Sequence, residues 1–198
     1  MDSKKKMIIA ISSCALVVIA VVIAVVAVLA AQTVTVKNSI SIGYHAGSNV
    51  RGTVSGSWTM EDTSKSGNLT PVTFLGSEGT EEEKNKDGGN IKNLSFEEGK
   101  NTYLEVTFNF TNESALVDYT ATLKSTTKGE NVKILGKAND AADWTDISST
   151  ITTDNGPSIV VSKEGTGKYV LRIELNNALE DAAFDGDISW KLVGADRT

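Results

Sequence analysis

The chain holds one histidine, His45, and one cysteine, Cys14, and those two counts exclude much chemistry. A zinc hydrolase of the His-Glu-x-x-His kind needs two imidazoles one helical turn apart and a glutamate base. A Ser-His-Asp triad would have to recruit His45, and no Gly-x-Ser-x-Gly elbow is present to present its serine. His45 sits between Gly43 and Gly47 and reads as an exposed turn residue. Cys14 lies in an apolar run and reads as a small apolar residue of a helix. Neither a P-loop nor a Gly-x-Gly-x-x-Gly turn opens a helix, so nucleotide binding has no support. No catalytic, cofactor-binding or metal-ligating residue is therefore assigned. Four carboxylates, Glu180, Asp181, Asp185 and Asp187, crowd one connection. Oxygen donors of this kind suit Ca²⁺, but their spacing departs from an EF-hand loop, and a plain acidic turn competes with that reading.

Three tryptophans offer rings for stacking. Trp58 and Trp190 fall in step with the apolar face of their segments and read as core. Trp144 follows a polar stretch at a loop edge and is the candidate ligand contact. Three triplets, Asn68-Leu69-Thr70, Asn93-Leu94-Ser95 and Asn112-Glu113-Ser114, match the N-glycosylation sequon.

These groups hang on a two-part chain. Lys4–Lys6 are basic, and Met7–Ala31 follows as 25 residues without a charge. About 20 such residues cross a bilayer as a helix, and the basic flank keeps the N-terminus cytoplasmic. A retained transmembrane anchor and a signal peptide cleaved near Ala30–Ala31 are both compatible with this leader. Both export residues 32–198 and place the chain at the cell membrane or outside the cell. Of the 19 basic and 25 acidic residues, three lysines and one aspartate precede residue 32, leaving 16 and 24, a net charge of −8. An acidic domain without a basic stripe argues against nucleic acid and anionic lipid as partners. With no cysteine beyond residue 31, no disulfide staples this part. Its length suffices for a core without staples.

Beyond residue 31 the apolar residues alternate, the mark of half-buried strands. Val34, Val36, Ile40, Ile42 and Tyr44 share one face of a strand, single or bent, over Gln32–Tyr44. Val50, Val54, Trp58 and Met60 continue such a face, and Leu69–Leu75 follows the turn signal Ser66-Gly67-Asn68. Gly76–Asn90 carries Glu81-Glu82-Glu83 and Asp87-Gly88-Gly89 and reads as an exposed loop. Thr102–Asn112 is the clearest strand, and Val117–Leu123 reads as its antiparallel partner. Val132–Leu135, a piece of Trp144–Ile151, Ser158–Val161, Gly167–Asn176 and Phe184–Leu192 complete nine or ten strands, with one helical turn at Asn177–Ala183. The fold class is all-β: an antiparallel two-sheet sandwich, jelly-roll or immunoglobulin-like, occupying residues 32–198 after an N-terminal signal or transmembrane helix at 1–31.

The leader Lys4–Ala31, the strand directly after it, the segment Tyr103-Leu104-Glu105-Val106-Thr107-Phe108-Asn109-Phe110-Thr111-Asn112 and the closing Ile188-Ser189-Trp190-Lys191-Leu192 resemble exported β-sandwich proteins of the TasA/camelysin type. The resemblance implies a subunit of extracellular matrix fibres in Gram-positive bacteria. The expectation is a non-enzymatic cell-surface or biofilm-matrix structural protein. Assembly into a homo-oligomer or fibre would run through the N-terminal strand, with Val34, Val36, Ile40 and Ile42 donated to a neighbour's sheet. A surface-tethered carbohydrate- or ligand-binding module using Trp144 is the alternative.

Overall fold

Alternation of buried and exposed side chains carries through nearly every long segment, and it builds strands throughout. A computed structural model describes residues 33–34, 37–61, 65–76, 85–92, 94, 96–97, 103–126, 129, 132–139, 141–175 and 183–195. Among them are fourteen strands and no helix: β1 Thr33–Val34, β2 Lys37–Ala46, β3 Arg51–Met60, β4 Ser66–Asn68, β5 Val72–Leu75, β6 Asn85–Lys92, β7 Phe96–Glu97, β8 Tyr103–Asn112, β9 Tyr119–Ser125, β10 Val132–Ala138, β11 Thr145–Asp146, β12 Ser158–Val161, β13 Thr166–Leu175 and β14 Ala183–Gly194. All of them, Thr33 aside, belong to one unit, Val34–Thr198. The leader helix, the acidic stretch 81–83 and all of the expected 177–183 helical turn except Ala183, which begins β14, lie outside the described residues.

Two main sheets form. One runs β12-β9-β14-β2-β6; the other runs β11-β10-β13-β8-β3-β4, with β5 also on β3. β1 and β7 make a separate two-stranded sheet. The inward residues of the two large sheets share one apolar cluster. Ile40, Ile42 and Tyr44 of β2, Ile188, Trp190 and Leu192 of β14 and Leu123 of β9 meet Val106, Phe108 and Phe110 of β8 and Leu171 and Ile173 of β13. Each such side chain, fully buried, contributes roughly 1.5–3 kcal/mol. Trp190 joins the core as its position implies, while Trp58 is only partly buried against it.

Four expectations need correcting. First, the sheets are not wholly antiparallel: β14 runs parallel to β2, with Ile188 opposite Ile42 and Trp190 opposite Tyr44. Parallel strands need a long connection, and here almost the whole domain lies between the two. Second, β9 is not the partner of β8. It pairs with β12 and β14, whereas β8 pairs with β13 and β3, so the turn after Asn112 carries the chain from one sheet to the other. Third, Asn85–Lys92 is a strand rather than part of a loop, antiparallel to β2 with a bulge at Ile42/Gly43. Gly88 serves packing: a Cβ on it would collide with the Tyr44 ring and lie 3.0 Å from Ile42 Cγ2. Fourth, Ser66–Asn68, expected as a turn, forms β4 against β3, because Gly67 leaves room for the Trp58 indole.

Candidate functional site

The outer face of the larger sheet gathers a cluster of charged and aromatic side chains around Arg172. On β13 the odd residues Tyr169, Leu171 and Ile173 are buried, so period-2 geometry turns Arg172 and Glu174 outward. The register places Arg172 between Leu135 of β10 and Glu105 of β8, and Glu174 between Lys133 and Tyr103. Arg172 Nε and Nη2 both donate to Glu105 Oε1, at 3.1 and 2.8 Å. Its Nη1 reaches Glu174 Oε1 at 3.5 Å. The Arg172 side chain is 20% exposed and that of Glu105 25%, so water screens this pair only in part.

Two rings stack on the guanidinium. Its central carbon lies 3.9 Å from the Tyr103 ring centroid and 4.2 Å from that of Trp144, well within the ~6 Å reach of a cation–π contact. Burial works against the charge of Arg172, but the hydrogen bond and charge of Glu105 outweigh it and push the guanidinium above its ordinary value. Burial likewise raises the Tyr103 phenol; the Arg172 charge opposes that, and Glu105 and Glu61 reinforce it.

Trp144 reaches this face because its segment is stitched to β10. The Ile147 amide donates to Ile134 O at 2.9 Å, and the Ile134 amide donates to Ser148 Oγ at 2.9 Å. Ile147 and Ile151 drop into the core. Asp146 Oδ1 accepts from the Ser148 amide, which holds the Asp146 carboxyl below its usual value. Lys137 Nζ lies 5.8 Å from the Trp144 ring and donates to Ala142 O at 3.5 Å. The arrangement is a clamp: an arginine held between two rings and two carboxylates that fastens the 141–151 segment over the sheet. Its chemistry is electrostatic and positional, since neither proton nor group transfer has a nucleophile–base pair within it.

The other candidates are scattered. His45 is exposed, as read, but it lies in strand β2 rather than in a turn, and its Nδ1 donates to Asn85 Oδ1. Ile40 and Ile42 are buried at 1% exposure in this chain's own core, with β2 bonded to β14 on one side and β6 on the other. Val34 lies in β1, and Val36 lies outside the described residues. Of the four carboxylates considered for calcium, Asp187 alone has a described side chain, which is exposed. No group of three metal-ligating side chains occurs among the described residues, nor any helix long and apolar enough to cross a membrane.

The sequon asparagine Asn112 proves to be structural. It is 1% exposed, donates to Val117 O at 2.8 Å and Val161 O at 3.1 Å, and accepts from the Ser114 amide at 2.9 Å. One side chain thus ties the β8–β9 turn to β12. Sequence reasoning flagged Trp144 and missed Arg172. The alternation of β13 and β8 shows which residues point outward, but the β13–β8 register that juxtaposes Arg172 and Glu105 is not visible in it. Compared with known proteins, the sequence matches no family model and no curated protein.

Proposed function

We propose that the chain is a non-enzymatic structural protein of a bacterial cell surface or extracellular matrix, exported by its Met7–Ala31 segment, whose β-sandwich assembles with copies of itself through the N-terminal strand. The observation that carries the reading is β2. It is the first long strand after the apolar leader, and it pairs parallel to the final strand β14 in an otherwise antiparallel sheet. β2 is joined covalently to the strands β3–β14 at its C-terminal end only. An equivalent strand of a neighbour can occupy the same slot without altering the connections among β3–β14. Ile40, Ile42 and Tyr44 would then fill the neighbour's core as they fill this one.

Two experiments test this. Deleting Gln32–Ile42 should abolish polymers seen by electron microscopy. Because that deletion also strips core residues, a second variant keeps them. Ser41 and Asp187 are opposed across β2 and β14, and the ~4.8 Å between neighbouring strands suits a disulfide. The pair S41C and D187C should form monomers when oxidised and regain polymers on reduction. Polymers that persist with β2 locked would sink strand donation. Sequencing the mature N-terminus separates a released subunit from one displayed on a retained anchor.

A second reading rests on Trp144, which is half-buried beside Lys137 rather than sealed in the core. A surface-tethered module would stack a sugar or other planar ligand there. Glycan-array binding that vanishes in Trp144→Ala favours it; an array without signal for the parent chain rules it out.

A further inference from the structure

Asn155-Gly156 is the one Asn-Gly dipeptide in the sequence, and the fold places it where it can react. Asn155 is exposed in the turn that leads from Ile151 to β12. No hydrogen bond to another described residue holds its side chain or the Gly156 amide. Glycine at 156 is not an idle choice. A Cβ there would run into the carbonyl oxygen of Leu123, a backbone atom of β9 that cannot step aside. Packing therefore demands the one residue type that leaves its own amide nitrogen unshielded toward the preceding side chain.

We propose that Asn155 is a site of spontaneous deamidation and that its conversion loosens edge strand β12. The Gly156 amide nitrogen, giving its proton to solvent base, attacks Asn155 Cγ. A new C–N bond closes a five-membered succinimide, the Cγ–Nδ2 bond breaks, and ammonia leaves with the proton. Water then opens the ring at either carbonyl, giving aspartate or isoaspartate. The net change is one water consumed and one ammonia released, with no oxidation or reduction. In isoaspartate the main chain runs through Cβ and Cγ, so it gains an atom just before Gly156. That position abuts the first rung of the β9–β12 edge, where the Leu123 amide donates to Pro157 O at 2.9 Å. Beyond it, Ile159 and Val161 pack over Gly167 of β13, with side-chain carbons 3.1 and 3.0 Å from where a Cβ would stand. Lengthening the turn pulls this cover from the core.

The test incubates the full chain in detergent micelles at mildly alkaline pH, followed by peptide mapping and isoaspartate-specific methyl labelling. Asn155 should convert several-fold faster than exposed Asn68 and Asn90, and N155Q should remove the labelled peptide. Equal conversion at the three asparagines would overturn the site. In the converted fraction, amide hydrogen exchange at Ile159–Val161 should rise several-fold. Freshly purified N155D, measured before its own Asp-Gly bond isomerises, adds the charge without the extra chain atom and should leave that exchange at the parent rate. Faster exchange in N155D, or unchanged exchange in converted protein, would overturn the loosening of β12.

Discussion

Trp190 of β14 and Tyr44 of β2 face each other in parallel register, both fully buried. They carry the two buried side-chain polar atoms without a partner among the described residues, Trp190 Nε1 and Tyr44 Oη. The indole meets Phe108, Phe110 and Tyr169 edge-on, at centroid distances of 5.3, 5.0 and 5.2 Å. Each such pair contributes about 0.5–1.5 kcal/mol beyond burial. Aromatic packing thus offsets part of the desolvation cost of two polar atoms at the point where β2 and β14 join.

Tyr44→Phe keeps the ring and removes the orphaned hydroxyl. An unsatisfied buried group costs about 1–3 kcal/mol, so the variant should gain about 1 kcal/mol, read as a higher urea midpoint. Trp190→Ala, which empties the centre of the aromatic cluster, should lose about 3–5 kcal/mol. A lower midpoint for Tyr44→Phe would mean that the hydroxyl has a partner in solution.

Alkaline stability should fall steeply. Burial raises the phenols of Tyr44, Tyr119 and Tyr169 above their ordinary value of 10.0. Once the unfolded phenols ionise, near pH ~10, the unfolded chain has lost protons that the folded chain keeps. Stability is therefore intact below that pH and drops above it by up to about 4 kcal/mol per pH unit for three groups. Tyr169→Phe should reduce the slope by about a third. A flat stability profile from pH ~9 to ~11 would contradict the burial of these rings.

Asn112→Ala should cost about 3 kcal/mol, because it strands the carbonyls of Val117 and Val161 and the Ser114 amide at once. Occupancy of the Asn112 sequon by glycan should be nil in folded protein, checked by mass spectrometry after expression in a glycosylating host. A glycosylated, folded Asn112 is incompatible with its burial.

Arg172→Lys retains the charge and loses the planar fork that contacts Glu105 and both rings. It should cost about 1–2 kcal/mol and speed chymotryptic cleavage after Trp144, since the ring loses its stacking partner. Parental cleavage rates in this variant would show that the 141–151 segment is held by Ile147, Ile151 and the hydrogen bonds to β10 without help from the guanidinium.

How much of this was legible in the sequence depends on the range of the interactions. Leu104, Val106, Phe108 and Phe110 alternate with polar neighbours, and alternation alone assigns them to a strand with one buried face. The same local signal marks Trp190 as interior and the whole domain as all-β. Asp87-Gly88-Gly89 carries the opposite local signal, yet becomes strand because β2 supplies its hydrogen-bond partners and Tyr44 occupies the space that glycine leaves. The same holds for the crossing from β8 to β9. A short polar turn fits a hairpin and a change of sheet equally, and Asn112, reaching Val161 49 residues away, decides for the latter. Parallel pairing of β2 with β14 joins the two ends of the domain, and Arg172 meets Glu105 across 67 residues. Side-chain alternation is a property of neighbours along the chain, so the sequence by itself determined the alternating strands, such as β8, and their buried faces. Strand order, register and the clamp depend on which edges meet across the core, and only the tertiary structure decided those.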